Sequence, residues 1–123
     1  YLQLIKGDPK LEGNKNIQIG EISKALKVMS KELDCTVIAL SQLSRRVEET
    51  QDKRPMQSDL RDSGQVEQDA DIIGMLYRDE VYNPNTDQKD VMELIIVKNR
   101  GGRLGTINLK FQKEISKIID VNY

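Results

Sequence analysis

Apolar positions recur with two different rhythms along the chain. Between Ile17 and Leu33, the residues Ile22, Ala25, Leu26, Met29 and Leu33 return at the spacing of one helix face, while Lys24, Lys27, Lys31 and Glu32 take the other. That pattern predicts an amphipathic helix. Elsewhere the apolar residues come in short continuous runs. TVIAL (36–40) and DIIGMLY (71–77) predict strands covered on both faces. VMELIIVK (91–98) and LGTINLKF (104–111) flank Asn99–Arg103 and predict an antiparallel hairpin, with glycine where positive φ is wanted. ISKIID (115–120) predicts a last short strand, and YLQLI (1–5) the end of another that starts without a turn or cap.

The polar stretches between these runs predict loops. GDPKLEGNKN (7–16) and RDEVYNPNTDQKD (78–90) are rich in turn formers. Residues 41–70 are charged and poor in apolar positions, broken by a short helix near 63–69 with Asp62 as its N-cap and Gln65 three residues on. Strands alternating with a helix and closing in an antiparallel hairpin define an α/β fold with a mixed, twisted sheet. The abrupt first strand leads us to expect the C-terminal part of a larger fold.

Composition narrows the class. The 123 residues suit one domain or part of one, and 37% hydrophobic content allows a modest core. Nineteen Lys and Arg against twenty Asp and Glu leave a net charge of −1, so any nucleic-acid contact has to come from local patches. No run has membrane-spanning length and the N-terminus is not signal-like, so no membrane contact is expected. The lone thiol suits a reducing cytosol, and a cytoplasmic protein is expected. The single Cys35 cannot form an internal disulfide and reads as a small half-buried residue. With no histidine, His-based acid–base or metal chemistry is excluded, and no metal site is expected within the chain.

Candidate chemistry gathers at strand ends. Sheets of this class bind ligands beyond the carboxyl ends of their parallel strands. Here Gln42 follows TVIAL, Arg78 follows DIIGMLY and Lys98 follows LIIV. Lys98 and Arg100, two positions apart, tend to face the same way if the strand continues, and two such cations suggest an anion between them. Yet no G-x-x-x-x-G-K-[ST] or other phosphate-cradling glycine loop is present. On residues alone, Lys98 and Arg100 read more readily as solvated hairpin cations, and Gln42 as a polar strand end bonded to loop backbone. The cations of 43–64 are interspersed with carboxylates and lack aromatic stacking platforms, as a solvated surface would.

Four blocks in order change that balance. YLQL, VIALSQLSR, KRPMQSDLRDSGQVEQDAD and IIVKNRGGRLGT together resemble the C-terminal motor domain of DnaB-type replicative helicases. The resemblance runs nearly end to end, with distinctive features missing only from 7–16 and 78–90. It implies a RecA-like ATPase core, a homo-hexameric ring, ATP with Mg²⁺ as cofactor, and movement along single-stranded DNA, with primase and a helicase loader as partners. The compartment it implies is the cytoplasm of a bacterial cell, for a protein of that cell or of a phage in it. It also implies that the phosphate-binding loop, the catalytic glutamate and the Walker B aspartate precede Tyr1. The expected domain is therefore residues 1–123 as the second half of a motor.

In the same terms, Lys98 and Arg100 would reach the γ-phosphate bound by the adjacent subunit, with Gly101 and Gly102 letting the backbone turn close to it. Gln42 would be the sensor glutamine that couples nucleotide state to the DNA loops. Arg61, Asp62 and Gly64 match positions that contact DNA phosphates, although the family often has glutamate where Asp62 stands. Loop 6–16, with Lys6, Lys10 and Lys15, is a candidate second DNA loop. Two alternatives remain at this point. A recombinase-type or signalling RecA-like ATPase would share the trans-acting cations but lack SDLRDSG…EQDAD. A truncated, non-enzymatic interaction module is the other.

Overall fold

The computed structural model describes residues 1–11 and 13–121, with the side chains of residues 11 and 61–63 outside the description. The chain forms two compact units, Tyr1–Arg46 with Gln57–Ala70, and Val47–Met56 with Asp71–Tyr123.

Helix α1 (Lys15–Glu32) is the backbone of the first unit. It begins two residues before the predicted start because the Asn14 side chain accepts the Ile17 N–H at 3.3 Å, satisfying one of the orphan donors of the first turn. Lys15 is therefore a helix residue and not part of the preceding loop, which itself contains a 3₁₀ turn at Pro9–Leu11. The buried face of α1 is Ile19, Gly20 and Ser23. The predicted stripe is only partly covered: Ile22 and Leu26 are half-buried, while Ala25, Met29 and Leu33 are exposed.

The reason lies in helix α2 (Gly64–Asp69), which packs on α1. A Cβ at Gly20 would stand 3.3 Å from the Gln65 Cβ, so the missing side chain permits the close approach. Ser23 Oγ donates to Asp69 Oδ2 at 2.8 Å, and Gln65 Nε2 donates to the other Asp69 oxygen at 2.9 Å. A small-residue face with a satisfied buried hydroxyl has won over the larger apolar stripe. The short helix expected near 63–69 is present, but a 3₁₀ stretch (Gln57–Ser63) runs directly into it. Asp62 thus has its backbone inside that stretch, and its side chain, with the N-cap reading that depends on it, lies outside the described residues.

Two predicted strands of this unit are not strands. Leu2–Leu4 is a 3₁₀ turn, and residues 36–40 carry no regular secondary structure. Among the described residues, one backbone bond joins the two segments, from the Leu2 N–H to the Leu40 carbonyl at 2.7 Å. An apolar run becomes a strand only by exchanging hydrogen bonds with neighbours, and here that exchange stops at one. Burial fails with it, for Ile38 is 86% exposed. Cys35 is exposed as well, not half-buried.

The second unit is a four-stranded antiparallel meander in the order β1 (Ile72–Tyr77), β2 (Val91–Asn99), β3 (Gly105–Gln112) and β4 (Lys117–Asp120). Helices and sheet give the expected α/β class, and the 91–111 hairpin forms as predicted. Burial along β1 alternates, with Ile73, Met75 and Tyr77 inside and Ile72, Gly74 and Leu76 outside. The strand is consequently covered on one face, as antiparallel sheets allow, and not on both. Helix α3 (Asp79–Tyr82) is the one regular element in the turn-rich 78–90.

The hairpin glycines act differently from expectation. Neither Gly101 nor Gly102 has a positive φ. Instead the Asn99 side chain fills the turn, accepting the Gly101 N–H at 3.2 Å and donating to the Arg103 carbonyl at 3.3 Å. A Cβ at Gly102 would fall 2.6 Å from Asn99 Nδ2, so Gly102 is required for the close approach of that amide.

Candidate functional site

Strand β2 carries the paired cations. Its register with β1 sets Ile73 opposite Lys98 and Gly74 opposite Ile96, so Val97 is an extra residue in a β-bulge. Each residue inserted this way reverses the side-chain alternation beyond it. Without the bulge Lys98 would share a face with Leu94 and Ile96; with it, Lys98 is opposite Ile73, on the face of Met75 and Tyr77. Lys98 is half-buried there.

Arg100 stands one residue past the end of β2, so strand alternation does not set its direction. Asp71 does. The Arg100 N–H donates to the Asp71 carbonyl at 2.9 Å, and Arg100 Nη1 lies 3.4 Å from Asp71 Oδ1. Both side chains of this ion pair are more than half exposed (54% and 58%), which places its strength at about 0–1 kcal/mol. The backbone of Arg100 is thus anchored while the pair made by its guanidinium stays open to solvent. Gly101, with open space around it, leaves the approach to that turn unobstructed.

Gln42 lies in the first unit, just after residues 36–40, and is exposed. Its backbone is gripped by Gln3: the Gln42 N–H donates to Gln3 Oε1 at 3.2 Å, and Gln3 Nε2 donates to the Gln42 carbonyl at 3.3 Å and to Ser41 Oγ at 3.1 Å. Sequence reasoning missed Gln3; its only signal was a lone amide in the apolar run YLQLI.

The 43–64 cations separate by environment. Arg61 and Asp62 have their backbone in the 3₁₀ stretch Gln57–Ser63, but their side chains lie outside the described residues. Gly64 opens α2, exposed and with no atom within 4 Å of a would-be Cβ. Ser44 N–H donates to the Asp59 carbonyl at 3.1 Å, tying the two ends of this excursion within the first unit. Arg54 belongs to the second unit and is no solvated cation. Its Nε and Nη2 make a forked pair with Glu93 at 2.9 and 2.7 Å, and its guanidinium lies 4.7 Å from the Tyr77 ring centre. The bond to Glu93 raises the Arg54 pKa above its ordinary value. Arg78, the third strand-end polar residue, is likewise committed, bonded to Glu80 and lying 4.2 Å from the Phe111 ring centre. Among the described residues no group of three or more Cys, Asp or Glu could hold a metal ion.

These features sit within a chain whose relatives are clear. The DnaB-like helicase C terminal domain matches residues 1–120, and the chain belongs to that family. It is 51% identical over 121 residues to the replicative DNA helicase DnaB of Geobacillus stearothermophilus, covering 98% of this chain and 27% of that protein. It is 54% identical over 117 residues to the replicative DNA helicase DnaB of Buchnera aphidicola subsp. Baizongia pistaciae, covering 95% of this chain and 25% of that protein. Among solved structures, one described as an ATPase domain superposes with a TM-score of 0.93 at 53% identity, over 98% of this chain and 42% of that one. A DnaB-like replicative helicase, described with its interactions with primase, superposes with a TM-score of 0.93 at 52% identity, over 98% of this chain and 29% of that one. The fold is therefore that of the RecA-like ATPase domains of DnaB-like helicases. The chain spans about a quarter of the length of these curated relatives.

Proposed function

We propose that residues 1–123 are the C-terminal part of the motor domain of a hexameric, ATP-dependent replicative DNA helicase that translocates on single-stranded DNA. The family match over residues 1–120 carries this reading. ATP with Mg²⁺ is held mainly by residues that precede Tyr1 in the family's motor. This chain contributes groups that meet the phosphate from outside. Arg100 stabilises charge on the γ-phosphate bound by the adjacent subunit, and Lys98 adds a point charge beside it. The exposed Arg100–Asp71 pair supports that role, because a weak pair yields to a ligand offering several anionic oxygens. A planar guanidinium bridges two of those oxygens with a fixed fork, whereas an ammonium acts as a point charge with rotatable donors. Gln42 senses the γ-phosphate or the attacking water through a neutral amide that can both donate and accept.

Arg61, Asp62 and Gly64 contact DNA phosphates in the ring's pore, Gly64 by its backbone N–H. Phosphate contacts position without reading sequence, so sequence preference is weak. Primase and a loader are the protein partners and the bacterial cytoplasm the compartment, in keeping with the helicase relatives and with the absence of any described helix long and apolar enough to cross a membrane.

The experiment mixes two inactive full-length proteins, Arg100→Ala and a variant lacking its P-loop lysine. Arg100→Ala alone should bind nucleotide normally while kcat falls by roughly 10³–10⁵, the range for a finger supplied in trans. Mixed rings contain interfaces where an intact P-loop meets an intact Arg100, and these should recover measurable ATPase activity. Mixed rings, verified by mass, that stay as inactive as either parent refute the trans assignment.

A further inference from the structure

We infer that Gln3 is a positioning residue for Gln42: its side-chain amide holds the Gln42 backbone and the Ser41 hydroxyl at the end of the 36–40 run. The inference rests on the sensor role proposed for Gln42, and it adds a residue and a mechanism to that role.

The geometry has three parts. Leu2 is buried, and its N–H to the Leu40 carbonyl docks the Leu2–Leu4 turn against the segment. Leu40 is two positions before Gln42, so this bond fixes the backbone of the next residue, Gln3, beside the segment's end. A primary amide presents an acceptor and donors side by side, as a peptide edge does. Gln3 uses them accordingly, with Oε1 taking the Gln42 N–H and Nε2 reaching the Gln42 carbonyl and Ser41 Oγ. Both polar groups of the Gln42 backbone are thus held by one side chain. All three contacts fall on the Gln42 backbone or on Ser41, so the Gln42 side-chain amide is left to meet a ligand.

The two bonds to the Gln42 backbone are exposed, while the bond to Ser41 Oγ is part-buried. Water can replace the exposed bonds at little cost in stability. It cannot reproduce the fixed direction, and a catalytic or sensing group displaced by about 1 Å loses rate far out of proportion to stability. The chemistry also separates variants. Gln3→Met keeps length and removes every polar contact. Gln3→Glu keeps the acceptor for the Gln42 N–H but sets an anionic oxygen against the Gln42 carbonyl.

The test uses the full-length protein and measures ATPase stimulation by single-stranded DNA, the KM for ATP, and hydrogen exchange at peptides containing Gln42. Gln3→Met should cut stimulation roughly tenfold, the effect of losing about one net hydrogen bond of alignment, with the KM for ATP within about twofold. Gln3→Glu should fall at least as far, which separates polarity from packing and serves if the methionine variant folds poorly. Exchange at the Gln42 amide should accelerate in both. On a Gln42→Ala background, Gln3→Met should add nothing further, because the residue being positioned is already gone. Full stimulation in both Gln3 variants overturns the proposal, as does a Gln3 loss that adds independently to that of Gln42→Ala. If Gln42→Ala itself keeps full stimulation, the sensor reading fails and the positioning role fails with it. Unchanged exchange at the Gln42 amide in the Gln3 variants would instead refute the clamp while leaving the sensor reading standing.

Discussion

Residues 36–40 and residues 94–97 look alike as text, since both are short apolar runs with a polar residue of proposed function within two positions of their end, Gln42 and Lys98. They differ in what their backbones do. Val91–Asn99 is paired on both sides, by β1 and by β3, and its bulge at Val97 is defined by those pairings. Residues 36–40 exchange one described backbone bond with the 1–5 segment, and Ile38 is 86% exposed. An apolar run encodes a demand for neighbours, and whether a strand results depends on neighbours reaching it. In the second unit β3 reaches β2 through a short hairpin and β1 reaches it across the 78–90 excursion. In the first unit the Gln3 side chain holds the residues just after the run.

The largest contrast should appear in hydrogen exchange. In the 123-residue chain, amides of β2 and β3 should exchange orders of magnitude more slowly than those of residues 37–39, which should lie within about tenfold of an unstructured peptide, as expected for exposed, unladdered backbone. Equal protection of both segments would break the comparison, and equal lack of it would show that the hairpin does not hold its own unit together.

That contrast marks what could be read from sequence. The 91–111 hairpin and α1 were legible because each is specified locally, by alternation, turn residues and helical spacing. The anion-facing role proposed for Lys98 and Arg100 rests on the four family blocks, since two cations at a strand end are chemically ambiguous. Three things were not legible. The bulge at Val97, which sets Lys98 opposite Ile73, depends on register with a strand that lies across the whole 78–90 excursion. The face of α1 was decided by Gly20 and Ser23 meeting Gln65 and Asp69, partners that no periodicity names. Gly102 proved necessary for the Asn99 side chain and not for φ, which requires the coordinates of that amide.

A smaller effect concerns how the second unit holds its one long polar excursion. Arg54 and Glu93 make a forked pair in which the carboxylate is the more buried partner, 14% exposed against 44%. Arg54→Met should destabilise by roughly 1–2 kcal/mol, mostly from leaving Glu93 without its donor. Adding Glu93→Gln should restore part of that loss, giving a coupling of about 1 kcal/mol after allowance for solvent screening of the half-exposed arginine. Additive losses in a denaturant double-mutant cycle would mean that packing on Tyr77, and not the fork, holds residues 47–56 to the sheet.

The smallest expected effect is a pH signature of the same unit. The Asp79 carboxyl is held below the ordinary carboxylate range, first by a hydrogen bond from Thr86 and then by the Tyr77 hydroxyl, which donates to Asp79 Oδ1 at 2.7 Å. Glu80 is held down as well, chiefly by Arg78. A depressed carboxyl contributes stability above its unfolded value and loses it as pH falls through the folded one, so this share disappears below about pH 4. Tyr77 runs the other way. Burial, then the bond to Asp79, pushes its phenol up to about 12, so its contribution is intact below about pH 10 and lost as pH rises toward 12. Asp79→Asn retains an acceptor for the Tyr77 hydroxyl but cannot ionise. The stability difference between wild type and Asp79→Asn should therefore be nearly constant from about pH 6 to 8 and shrink below about pH 4. Tyr77→Phe should flatten the alkaline limb and weaken the acid one, because the Thr86 hydrogen bond then holds Asp79 down without the phenol's help. Denaturant midpoints across pH read both limbs. A difference curve for Asp79→Asn that is flat through the acid range would remove Asp79 from the bonds that hold α3 at the end of β1.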